Sequence, residues 1–117
     1  MISTFEFADN VAGILIKEDL TSEIMEQVHQ LILEQVNFDE KINLYVEIED
    51  GLHVSMPAFF KDVTFKFKNS AKFNKIAVVT NLDWFQNMME IKDLLMEADV
   101  KSFTIENRLK AISWIAE

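Results

Sequence analysis

The 117-residue sequence has no cysteine, one proline and two glycines, and no apolar run near the ~20 residues of a membrane-spanning helix. The missing cysteine excludes disulfides, thiol catalysis and cysteine zinc sites, and points to a reducing, cytoplasmic setting. With so little proline and glycine there are no linkers or low-complexity tracts. Gly13 and Gly51 stand alone, so no glycine-rich loop cradles a phosphate. Met1-Ile2-Ser3 opens no signal peptide. Bases are scarce too: 11 against 20 acids, a net charge of −9 that argues against binding a nucleic-acid backbone. What is abundant is apolar: 50% of the residues are hydrophobic, which excludes disorder and fits one domain over 1–117.

The charge is divided unevenly. Residues 1–58 set twelve acids against Lys17 and Lys41, whereas residues 59–117 are close to neutral. Lys61, Lys66, Lys68, Lys72 and Lys75 crowd into one stretch with Asp62 as its only acid. Such a run reads as a solvated helix face or as a contact surface for an acidic partner or anionic membrane.

Hydrophobic periodicity predicts nine elements. Residues 4–8 alternate, Asp9-Asn10 is a turn pair and 11–16 is a continuous apolar run, a hairpin leading into a buried strand. Thr21 or Ser22 caps a helix with Ile24, Val28, Leu31, Ile32 and Val36 on one face. Residues 42–49 alternate as a strand, with Tyr45, Glu47 and Glu49 on its polar side. Pro57 suits the start of a helix over 57–72, and 76–79 is a short buried strand. Asp83 caps a further helix, 102–105 alternates again, and 107–115 closes the chain as a helix directing Leu109, Ala111, Ile112 and Ile115 to the core. The expected class is α/β, in the order ββαβαβαβα: a mainly parallel five-stranded sheet with an N-terminal antiparallel hairpin. Strands that follow one another across the sheet put every connecting helix on one face. The other face is then only partly covered, a natural dimer surface or ligand floor.

With this order in view, the chain resembles the SpoIIAA-like proteins, small bacterial domains related to the STAS modules of anti-sigma-factor antagonists and anion transporters. Phe60-Lys61-Asp62-Val63-Thr64-Phe65, Phe73-Asn74-Lys75-Ile76-Ala77-Val78-Val79 and Asp83-Trp84 look like the family's run. Phe103-Thr104-Ile105 and Ala111-Ile112-Ser113-Trp114-Ile115 look like its last strand and its Ala-x-x-Trp helix. The resemblance implies a STAS-like fold and a non-catalytic cytoplasmic module. Similar folds are compared with CRAL-TRIO lipid-transfer domains, so a small hydrophobic ligand is the alternative. Anti-sigma-factor antagonists carry an Asp-Ser pair, its serine phosphorylated, after the third strand. Here the only hydroxyl of that stretch, Ser55, lies between Val54 and Met56, which reads as a helix-capping serine.

No catalytic constellation stands out. His29 does not join the apolar stripe of its helix and reads as a solvated or boundary histidine, while His53 follows Glu47, Glu49 and Asp50 without metal-ligand spacing. The sharper signal is the helix over 57–72. Phe59, Phe60, Val63 and Phe67 line one side, while Phe65 points away from them among Lys61, Lys68 and Lys72, the pattern of a docking helix. The expected contacts are therefore His53, Ser55, Met56, Phe60, Lys61, Phe65, Lys68, Lys72, Trp84 and Met88. The expected function is a non-enzymatic interaction module that needs no cofactor or metal. Its partner is another protein or itself, as a homodimer. The alternative is a lipid carrier that holds its ligand between the sheet and the helices containing 59–67 and 84–96.

Overall fold

The computed structural model describes residues 2–5, 8–35, 41–55, 58, 61, 62, 65, 70–81 and 99–117. Five strands form one sheet in chain order: β1 (Ile2–Phe5), β2 (Val11–Ile16), β3 (Ile42–Ile48), β4 (Phe73–Val79) and β5 (Asp99–Phe103). β1 pairs antiparallel with β2, and the remaining pairs are parallel. Helix α1 (Ser22–Gln35) crosses from β2 to β3, and α2 (Arg108–Ala116) follows β5 through the 3-10 turn Ile105–Asn107. Ala58, Lys61, Asp62 and Phe65 are helical, and the 3-10 turn Ser70–Lys72 leads into β4. The helix expected after Asp83 lies outside the described residues.

Local chemistry accounts for the boundaries. Val11 N–H donates to the Ala8 carbonyl at 3.2 Å, closing the turn through Asp9 and Asn10. Ile24 N–H donates to Thr21 Oγ1 at 3.2 Å, so Thr21 is the cap of α1, with Glu23 at the positive end of the helix dipole. β2 reads as an unbroken apolar run because both its faces are covered. β1 and β5 both begin earlier than their alternation suggests. Ile2 pairs with Ile16 and Asp99 with Lys75, so backbone pairing to the inner strands sets these edges.

Gly13 lies opposite Phe5 in the hairpin. A Cβ there would stand 2.7 Å from the Phe5 carbonyl oxygen and 2.9 Å from two of its ring atoms. Lacking one, β2 lets the Phe5 ring lie across it and meet Tyr45 edge-on, with centroids 5.4 Å apart.

The two sheet faces carry separate cores. On one, Ala12, Ile14, Ile16, Leu44, Val46, Ile48, Ile76 and Val78 pack under Met25, Val28 and Ile32 of α1. On the other, Val11, Tyr45, Ala77 and Val79 pack under Ala111 and Ile115 of α2. Each fully buried isoleucine contributes about 1.5–3 kcal/mol of transfer free energy. The second face, expected to be only partly covered, thus carries a helix and a core of its own. α2 is no crossover between parallel strands, so the handedness rule does not hold it to the side of α1. Leu109 is a further correction: it is 77% exposed, while Ala111 and Ile115 are fully buried.

Candidate functional site

The loop leaving β3 is held rather than loose. Gly51 takes φ +82° in an open position, which turns the chain back toward β2. Leu20 and Val54 then form an isolated parallel bridge. Leu20 N–H donates to the His53 carbonyl at 2.8 Å, and Ser55 N–H to the Leu20 carbonyl at 2.9 Å. His53 N–H donates to Asp19 Oδ1 at 2.9 Å. These bonds lash the loop after β3 to the loop after β2, at the carboxyl end of the parallel strands, and leave the His53 side chain exposed. Ser55 Oγ accepts the Ala58 N–H at 3.2 Å, the contact of a helix N-cap.

Beyond it, Lys61, Asp62 and Phe65 each meet α1. Lys61 Nζ lies 2.8 Å from Glu26 Oε2, and this lysine, donating to the carboxylate, holds the exposed Glu26 below its ordinary pKa. His29 Nε2–H donates to Asp62 Oδ1 at 3.1 Å, and the His29 ring stacks on Phe65 with centroids 3.9 Å apart and planes 4° from parallel. His29 is 6% exposed, so it is not solvated. The buried stripe of α1 runs Met25, Val28, His29, Ile32, rotated slightly from the stripe that purely apolar residues suggest. Phe65 is half-buried against the same core. Its place on the docking surface is withdrawn, because the helical segment turns it onto His29.

Of the expected contacts, His53 and Ser55 share the strapped loop, Lys61 lies beside it over α1, and Lys72 ends the 3-10 turn before β4. Met56, Phe60, Lys68, Trp84 and Met88 lie outside the described residues. No three His, Asp or Glu side chains converge on a metal position among the described residues. A cavity of about 310 Å³ opens between the turn at Asp9 and the end of α1. Its wall mixes apolar Ala8, Val11, Ala12 and Ile42 with polar Asp9, Glu34 and Gln35.

Sequence reading passes over one polar cluster. Glu47, 8% exposed, accepts two hydrogen bonds from Arg108, Nε and Nη2 each at 2.7 Å, and a third from the Tyr45 hydroxyl at 2.7 Å. Burial by itself would raise the Glu47 carboxyl, but the Arg108 guanidinium and the Tyr45 hydroxyl outweigh it and hold the group below the ordinary glutamate value. Burial, and then the bond to Glu47, push the Tyr45 hydroxyl well above the usual phenol range. Arg108 is the only arginine and Tyr45 the only tyrosine of the chain, and both meet at Glu47. That scarcity was the available signal, since a guanidinium fork grips a carboxylate in a way no lysine does.

A family model described as SpoIIAA-like matches residues 11–116. The chain belongs to the SpoIIAA-like family. A protein with a SpoIIAA-like fold from Shewanella loihica PV-4 superposes on it with a TM-score of 0.71, at 16% identity, over 98% of this chain and 92% of that one. No curated protein matches this sequence. The mixed sheet in chain order with helices on both faces is therefore the SpoIIAA-like fold. Ser55, the only hydroxyl of the loop after β3, thus caps the next helical segment from a strapped loop.

Proposed function

We propose that this SpoIIAA-like chain is a regulatory protein-interaction module of a bacterial cytoplasm, with no chemical step of its own. Its partner docks on the loop 49–55 and the adjoining surface of Lys61 and α1. The observation that carries this reading is the strap between the two loops. The two backbone hydrogen bonds of the Leu20–Val54 bridge, with a third from the His53 N–H to the Asp19 carboxylate, fix the loop before any partner arrives, which lowers the ordering cost of association. Around it stand exposed Asp19, Glu23, Glu26 and His53 with the Lys61–Glu26 pair, a mixed polar surface suited to a protein partner.

A photocrosslinking residue at His53, expressed in the native bacterium, tests the reading against the same residue at Thr4 on the β1 edge. One discrete protein adduct at position 53, absent at position 4 and lost on adding Lys61→Glu, is the expected result. Equal labelling at both positions, or none at either, would overturn it. Native mass spectrometry of the fresh protein separates this module from a lipid carrier: bound lipid would sink the interaction reading, and the expected spectrum is free of adducts.

A further inference from the structure

The outward side of α2 carries a pattern that its packing on the sheet does not use. At 100° per residue, Leu109, Ser113 and Ala116 fall within about 60° of one another. All three are exposed, and Leu109 at 77% is far more so than a structural leucine needs to be. Half-buried Ile112 borders the stripe on one side. Exposed Glu106, Lys110 and Glu117 border it on the other. Ala111 and Ile115 face the opposite way, into the sheet, so an occupant of the stripe would leave the core intact.

We propose that this stripe is a self-association surface, and that its occupant is a second copy of the same chain. A two-fold axis through Ser113 runs the two helices antiparallel and brings like flanks together, as every isologous contact must. It sets Leu109 of each copy within one residue of Ala116 of the other. It also sets Lys110 within one residue of Glu117 of the second copy, twice over, so an opposite-charge pair closes both ends. Glu117 is available for this: its side chain is 71% exposed and only 3.8 Å from Lys75, a loose pairing. Lys110 is exposed on the flank that meets it. A parallel arrangement, or an unrelated helix, would not bring these charges into register. The nine residues of α2 and its preceding turn form a small patch, so the dimer belongs to the weak, concentration-dependent class of interfaces. The surface is separate from the loop 49–55, and its failure would leave the partner-docking reading standing.

Because the chain has no cysteine, one introduced thiol reports the geometry without background. Ser113→Cys should form a covalent dimer on mild oxidation many times faster than Thr4→Cys on the β1 edge. Sedimentation of the wild type should show mass rising between about 10 μM and about 1 mM, a range suited to a weak interface. Leu109→Glu should abolish that rise while keeping the circular dichroism of the fold. Lys110→Glu should weaken association, and Lys110→Glu with Glu117→Lys should restore it. A wild type that stays monomeric at the highest concentration would overturn the proposal. So would equal crosslinking at positions 113 and 4, or a dimer that survives Leu109→Glu.

Discussion

Arg108 is joined to Glu47 by a two-pronged contact, and Tyr45 completes a carboxylate with three donors. A lysine at 108 would offer one point charge where the guanidinium offers a planar fork. With Arg108 about half exposed, Arg108→Lys should lower the free energy of unfolding by about 1 kcal/mol at neutral pH. The sign of its pH dependence follows from the direction of the Glu47 shift. A carboxyl held lower in the folded chain than in the unfolded one stabilises the fold above the ordinary value of 4.5, and that contribution fades as pH falls through the folded value. Urea titrations should therefore find wild type and Arg108→Lys separated at neutral pH and converging in acid, as the pH falls through the lowered folded value of Glu47. An undiminished gap in acid would show that Arg108 acts by packing instead. None of this is legible from spacing. Glu47 is one of twenty acids, and its partner lies 61 residues along the chain, at the start of another element.

Helix by helix, the reading succeeds where a stripe is broad and fails where one residue decides. α1 keeps its expected place, yet its buried side includes His29, because Asp62 satisfies the ring nitrogen and Phe65 covers the ring face. A histidine looks polar until its partners are known, and those come from a segment more than thirty residues later. In α2 the choice falls between Leu109 and Ala111, and the smaller side chain wins. Ala111 is fully buried in one core cluster with Tyr45 and Ala77, which leaves little room for a larger side chain. Ala111→Leu should consequently cost about 1–3 kcal/mol by overpacking, whereas the larger-to-smaller Leu109→Ala should change stability by less than about 0.5 kcal/mol. Thermal melts of the two variants check the contrast. A mild Ala111→Leu would mean that α2 rides on the sheet rather than into it.

For the molecule as a whole, strand order was legible because each strand pairs with the next in sequence, the simplest outcome of right-handed crossovers. The side taken by the last helix was not, since nothing downstream obliges it to return to the sheet. The consequence is a sheet whose central strands are covered twice. β3 and β4 are buried from α1 and from α2, while β1 and β5 are the edges. Native-state hydrogen exchange should find the slowest amides in 44–48 and 76–79, and much faster exchange in β1. Uniform protection across all five strands would contradict the two-core arrangement.

If a partner docks on the loop 49–55 as proposed, the bridge between Leu20 and Val54 bears on which kind it can be. It ties the loop after β3 to the residue just before Thr21, the cap of α1. A partner that pulls this loop open must therefore also loosen the start of a helix, and its affinity is reduced by that work. A partner that fits the loop as it stands incurs no such reduction. The lashing thus acts as a filter on shape: it favours binders that match the surface already present over those that would remodel it.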